Sequence, residues 1–87
     1  MIIYLGEELP EAMKEKTYQN PFPEKTKCSK CSSDASPFLL IDDEDGELVA
    51  VSPKRKNGYP IFPHDSCAFC LYMCEKCGNV ETEWNQA

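Results

Sequence analysis

The hydrophobic pattern changes period early in the chain. Ile2-Ile3-Tyr4-Leu5 is a short β-prone run ended by Gly6. Leu9 and Met13 then recur four apart within residues 7–16, which sets them on one helical face. Pro10 suits a first helical turn, and acids lead while lysines close, as the helix dipole favours. The pattern predicts a helix of about two turns. Asn20-Pro21-Phe22-Pro23 predicts an extended connection, because the residue before a proline is pushed out of the α region.

Phe38-Leu39-Leu40-Ile41 and Leu48-Val49-Ala50-Val51 flank Asp45-Gly46 and predict a β-hairpin over residues 38–51. Residues 52–58 read as a basic loop with an Asn-Gly turn. Tyr59 to Phe62 reads as one more short strand, limited by Pro60 and Pro63. Phe69 to Met73 is a strand candidate, Cys74 to Asn79 a tight loop, and Val80 to Trp84 alternates as a half-buried strand should. Together these make a compact hairpin.

Eighty-seven residues give one small domain whose packing alone yields slim stability. Chains of this size usually carry a staple, either disulfides or a metal. The N-terminus shows neither a basic region nor a long apolar stretch of a signal peptide, and no apolar run could span a bilayer. The expectation is a cytoplasmic monomer, without a membrane, in a compartment where paired cysteines read as metal ligands or redox groups. Fifteen acidic against nine basic residues make a net charge of −6, which works against general nucleic-acid binding.

The six cysteines form three CxxC pairs: Cys28/Cys31, Cys67/Cys70 and Cys74/Cys77. Two such pairs can enclose one Zn²⁺ with four thiolates. Gly78 follows the last pair and eases the turn that aims both sulfurs at one ion, whereas Ser32 and Ser33 follow the first. Cys67-Ala68-Phe69-Cys70 has no glycine and no polar interior, and reads as the start of a strand.

A CxxC, a hairpin, then Cys74-Glu75-Lys76-Cys77-Gly78-Asn79 and an alternating strand resembles the zinc-ribbon superfamily over residues 28–87. Residues 1–27 would be a leader outside it. The resemblance implies a small, metal-stabilised, β-rich domain, to which the residue pattern adds a short N-terminal helix. Cys28 and Cys31 match the first ligand loop, or knuckle, and Cys74 and Cys77 the second. The alternatives are Cys28/Cys31 with Cys67/Cys70, a cluster, two sites, disulfides, or cysteines that are merely buried. A structural zinc would contribute on the order of 10 kcal/mol to folding. The same ligand set accepts iron, as in rubredoxins.

For Cys67 and Cys70 three readings compete: packing in the sheet and a turn, a reversible dithiol, or a partial site with His64. Acids at 42–47 would crowd a hairpin tip. Transcript-cleavage elongation factors, also zinc ribbons, use such tips, although a solvated turn is the simpler reading. Lys54-Arg55-Lys56 beside Tyr59 could touch phosphates, and again a solvated loop is simpler. The chain offers no nucleophile–base pair, so no enzyme is expected. Two functions remain: a zinc module that binds a protein partner, or a redox protein using iron or the Cys67/Cys70 thiols.

Overall fold

The computed structural model describes residues 1–16, 20–43, 46–60 and 67–86; at positions 49, 67 and 86 it describes the backbone alone. Five antiparallel strands form one sheet: β1 (Ile2–Tyr4), β2 (Thr26–Lys27), β3 (Asp34–Asp43), β4 (Cys67–Cys74) and β5 (Val80–Gln86). Helix α1 (Leu9–Glu15) follows a single 3-10 turn, and a short α2 (Glu47–Val51) follows β3. The expected class, small and β-rich with a short N-terminal helix, is the one observed.

β3 is the centre of the sheet. Along one edge it pairs with β4 from Ala35↔Cys74 to Asp43↔Cys67. Along the other it pairs with β1 near Leu40 to Asp42 and with β2 at Asp34 and Ala35. β4 and β5 form the expected hairpin, from Met73↔Val80 to Cys67↔Gln86.

The hairpin expected over residues 38–51 is not present. Both edges of β3 are occupied, so Leu48–Val51 has no ladder to join and winds into α2. The carboxylate of Asp43 accepts the amide of Leu48 at 3.2 Å, and Ala50 donates to the Gly46 carbonyl. Such capping favours a helical turn over a strand. The acidic tip changes with it. Asp42 and Asp43 are buried in β3 and Glu47 opens α2, while Glu44 and Asp45 lie outside the described residues. Asp42 is held by Lys16 Nζ at 3.0 Å from the end of α1.

β3 also starts earlier than Phe38, at Asp34. Pro37 makes this legible in retrospect. It lacks an amide, and prolines inside sheets sit at bulges or edges. The register shifts between Pro37, opposite Tyr72, and Leu39, opposite Leu71, leaving Phe38 as the extra residue of a bulge. An odd separation normally puts two strand residues on opposite faces. Because of the bulge, Ala35 and Leu40 both lie on the core face, and both are fully buried.

That core face carries Ala68, Cys70 and Tyr72 from β4, and α1 closes over it with Leu9, Ala12 and Met13, joined by Phe22 and Tyr4. The Tyr72 hydroxyl donates to the Pro23 carbonyl at 2.6 Å. The predicted extended connection therefore docks on the sheet. On the other face Ile3, Ile41, Phe69 and Trp84 stand in one cross-strand row. The Phe69 and Trp84 rings lie 4.9 Å apart.

Residues 52–60 hold the expected basic loop. Arg55 and Tyr59 are joined by a backbone hydrogen bond, and Lys54 to Arg55 to Lys56 are exposed. The strand expected at Tyr59 to Phe62 shows only a bridge from Lys54 to Pro60; Ile61 and Phe62 lie outside the described residues. Among the described residues, no helix is long and apolar enough to cross a membrane.

Candidate metal centre

Two short loops meet at one end of the sheet. The first, residues 28–33, joins β2 to β3; the second, residues 74–79, joins β4 to β5. They share one backbone plan. Cys28 donates its amide to the Ser33 carbonyl and Ser32 returns its amide to Cys28, at 2.9 Å each. In the second loop Cys74 donates to Asn79 at 2.8 Å and Gly78 returns to Cys74 at 3.1 Å. Each loop thus folds its CxxC into a tight knuckle with both sulfurs on one side.

The plan requires a left-handed residue directly after the second cysteine. Gly78 has φ of 76°, and Ser32 has φ of 63°. The first knuckle therefore reaches, with a serine, the conformation that glycine adopts without penalty. Ser32→Gly is expected to stabilise the metal-loaded domain by up to about 1 kcal/mol, and Gly78→Ala to destabilise it by about 1–2 kcal/mol. A Cβ at Gly78 would meet nothing within 4 Å, so the cost is conformational and not a clash. Denaturant titration of the two variants checks both signs.

The knuckles bring the Sγ atoms of Cys28, Cys31, Cys74 and Cys77 within 4.8 Å of one another. Cys28 and Cys77 are 3.6 Å apart, Cys31 and Cys74 3.5 Å, and Cys31 and Cys77 3.7 Å. Four sulfurs at about 2.3 Å from a tetrahedral ion stand about 3.8 Å from each other. Disulfides need about 2.05 Å. The donor set therefore fits a metal ion and could hold one.

Backbone amides point at the sulfurs as well. Lys30 donates to Cys28, and both Lys76 and Cys77 donate to Cys74, each at 3.4 Å. Amides from Cys31 and Lys30 hold the Cys28 thiol below its ordinary value. Those of Cys77 and Lys76 bring Cys74 down to about 6. For Cys77 the Asn79 amide favours the thiolate, but the sulfurs of Cys74 and Cys28 outweigh it and push the thiol up to about 11. Four negative sulfurs repel one another, and the amides aimed at Cys28 and Cys74 favour charge on those two. A cation among the sulfurs would favour the Cys77 thiolate as well.

Around this cluster lies a polar frame that the sequence did not advertise. One oxygen of Glu81, on β5, accepts the amide of Ser29 at 2.8 Å, its hydroxyl at 2.6 Å and Asn79 Nδ2 at 2.7 Å. The Ser29 hydroxyl and amide hold the Glu81 carboxyl below its usual range. Asn79 Nδ2 also lies 3.6 Å from the sulfur of Cys28. On the opposite side Glu75 accepts from Lys25 Nζ and Ser36 Oγ, tying the second knuckle to β3. The only sequence hint of this frame was the polar half of the β5 alternation, which ordinarily signals solvent.

Among the described side chains, that of Cys70 does not join the cluster. Cys70 is fully buried in the sheet core, where burial pushes its thiol up to about 11. A thiol that seldom ionises is a poor nucleophile and a poor ligand. The backbone of Cys67 begins β4 and is not in a turn, and His64 lies outside the described residues. Comparisons with protein-family models, curated proteins and solved structures found no match to this chain.

Proposed function

We propose that this chain is a zinc-ribbon-like protein in which Cys28, Cys31, Cys74 and Cys77 hold one structural Zn²⁺, and that the stiffened sheet serves as a non-catalytic module for binding a protein partner. The observation that carries the metal reading is the meeting of four sulfurs at tetrahedral spacing from knuckles 43 to 49 residues apart, as in Cys31–Cys74 and Cys28–Cys77. Four thiolates close the shell and leave no position for a reacting water. The ion would stiffen one end of the sheet and neutralise part of the sulfur charge.

The interaction half of the proposal draws on the sheet face opposite the core. Ile3, Met73, Val80 and Trp84 each keep 42–49% of their surface exposed. Ile3 and Trp84 end the cross-strand row, while Met73 and Val80 are directly paired. Apolar side chains gathered on one face of a rigid sheet suit a protein partner better than an acidic or phosphate-bearing one.

Elemental analysis of the purified protein tests the metal reading. The expected result is one zinc per chain, a colourless solution, and four thiols shielded from alkylation until a chelator is added. Iron and a red colour would favour electron transfer instead, and absence of any metal would sink the proposal. Met73→Glu with Val80→Glu is expected to abolish capture of a partner without changing metal content.

A further inference from the structure

Resting on that metal reading, we propose that Glu81 is a positioning residue that latches the first knuckle to the second and so governs how long the ion is retained. The two knuckles are not equally supported. Both close hairpins, but the second is anchored by a long ladder, from Met73↔Val80 to Cys67↔Gln86. The first is anchored on its leading side by β2 alone, whose two residues pair as Lys27↔Asp34 and Thr26↔Ala35. Release of an ion held by four sulfurs requires the two pairs to separate, and the first knuckle is the half better able to swing.

Glu81 bridges that gap. It lies just beyond the second knuckle on β5, yet two of the three hydrogen bonds to its Oε1 come from Ser29 at the tip of the first. The third comes from Asn79 in the second knuckle. Asn79 Nδ2 serves two acceptors, the Glu81 carboxylate and the Cys28 sulfur. A carboxylate and a thiolate both need a donor, so together they fix which end of the Asn79 amide faces the cluster. Remove the carboxylate and the amide is free to turn, while Ser29 loses both of its anchors. Groups that hold a metal ligand in place commonly change affinity by about 10- to 100-fold when removed.

Co²⁺ is the probe, because its absorption reports ligand geometry as well as occupancy. Wild type, Glu81→Ala, Glu81→Gln, Ser29→Ala, Asn79→Ala and Thr82→Ala would be loaded with Co²⁺, and its transfer to a chelator timed. Glu81→Ala is expected to release the ion at least about tenfold faster and to shift the visible bands. Glu81→Gln, which keeps an acceptor without the charge, should fall between. Thr82→Ala, on the neighbouring exposed position of β5, should match wild type. Glu81→Ala and Asn79→Ala should be non-additive, since they remove one shared chain of contacts. Wild-type rate and spectrum in Glu81→Ala would overturn the latch. Should that variant fail to fold, unchanged release from both Glu81→Gln and Ser29→Ala would overturn it equally. Failure of wild type to take up Co²⁺ sinks the metal reading itself, a separate and recognisable outcome.

Discussion

Cys74→Ser is expected to abolish metal binding and unfold the domain, the largest single-residue effect in the chain. Cys74 is nearly buried, receives two backbone amides and faces Cys31 at 3.5 Å. A serine there supplies no thiolate and leaves a three-sulfur site. Structural zinc is worth on the order of 10 kcal/mol to a small domain. The net stability of such domains is about 5–15 kcal/mol, so little remains without it. Cys28→Ser should behave alike. Cys70→Ser should keep the ion and lose only about 1–3 kcal/mol, the cost of placing a hydroxyl in the apolar core. Cys67→Ser is likewise expected to stay folded with its metal. Metal content and thermal melting of the four variants check this, and loss of the ion from Cys67→Ser or Cys70→Ser would refute the ligand assignment. The pH trend has a definite sign. With Cys77 at about 11 and Cys74 at about 6, binding at neutral pH displaces a proton from Cys77. Below about pH 6 Cys74 takes up a proton too, and apparent affinity should fall more steeply.

Tyr72→Ala should cost about 3–5 kcal/mol while leaving the metal stoichiometry intact. Tyr72 is among the largest fully buried side chains and sits between the sheet and the connection through Phe22 and Pro23. Its removal empties the middle of the core and frees the Pro23 carbonyl. Tyr72→Phe isolates the polar part and should cost about 1–1.5 kcal/mol, because it deletes only the hydroxyl. Urea titrations with metal in excess give both numbers. A Tyr72→Ala variant as stable as wild type would mean that the apolar core contributes little and the ion nearly everything.

How much of this was legible in the sequence depended on range. The β4–β5 hairpin could be read because Val80 to Trp84 alternates and Cys74 to Asn79 announces its own turn. The four clustered cysteines could be read because sulfur pairs at CxxC spacing have few other uses in a chain this short. Helix α2 could not. Leu48-Val49-Ala50-Val51 is rich in β-branched residues, and only the filled edges of β3 and the Asp43 carboxylate send it into a helix. Glu81 was illegible for a related reason. An acid alternating with apolar residues looks solvent-facing, and nothing local reveals Ser29 across the gap. Ser32 hid its backbone conformation, which belongs to the knuckle plan and not to serine.

The bulge in β3 bears on how this gene could tolerate changes in length. Phe38 is the residue that the partner strand does not count. Excising its codon would leave every other pairing with β4 in phase and return the ladder to a regular one. Loss of the codon for Leu39, Leu40 or Ile41 would be absorbed by the same bulge, with Phe38 moving opposite Leu71 and a leucine still opposite Cys70. Natural variants one residue shorter in this strand should therefore cluster at residues 38–41.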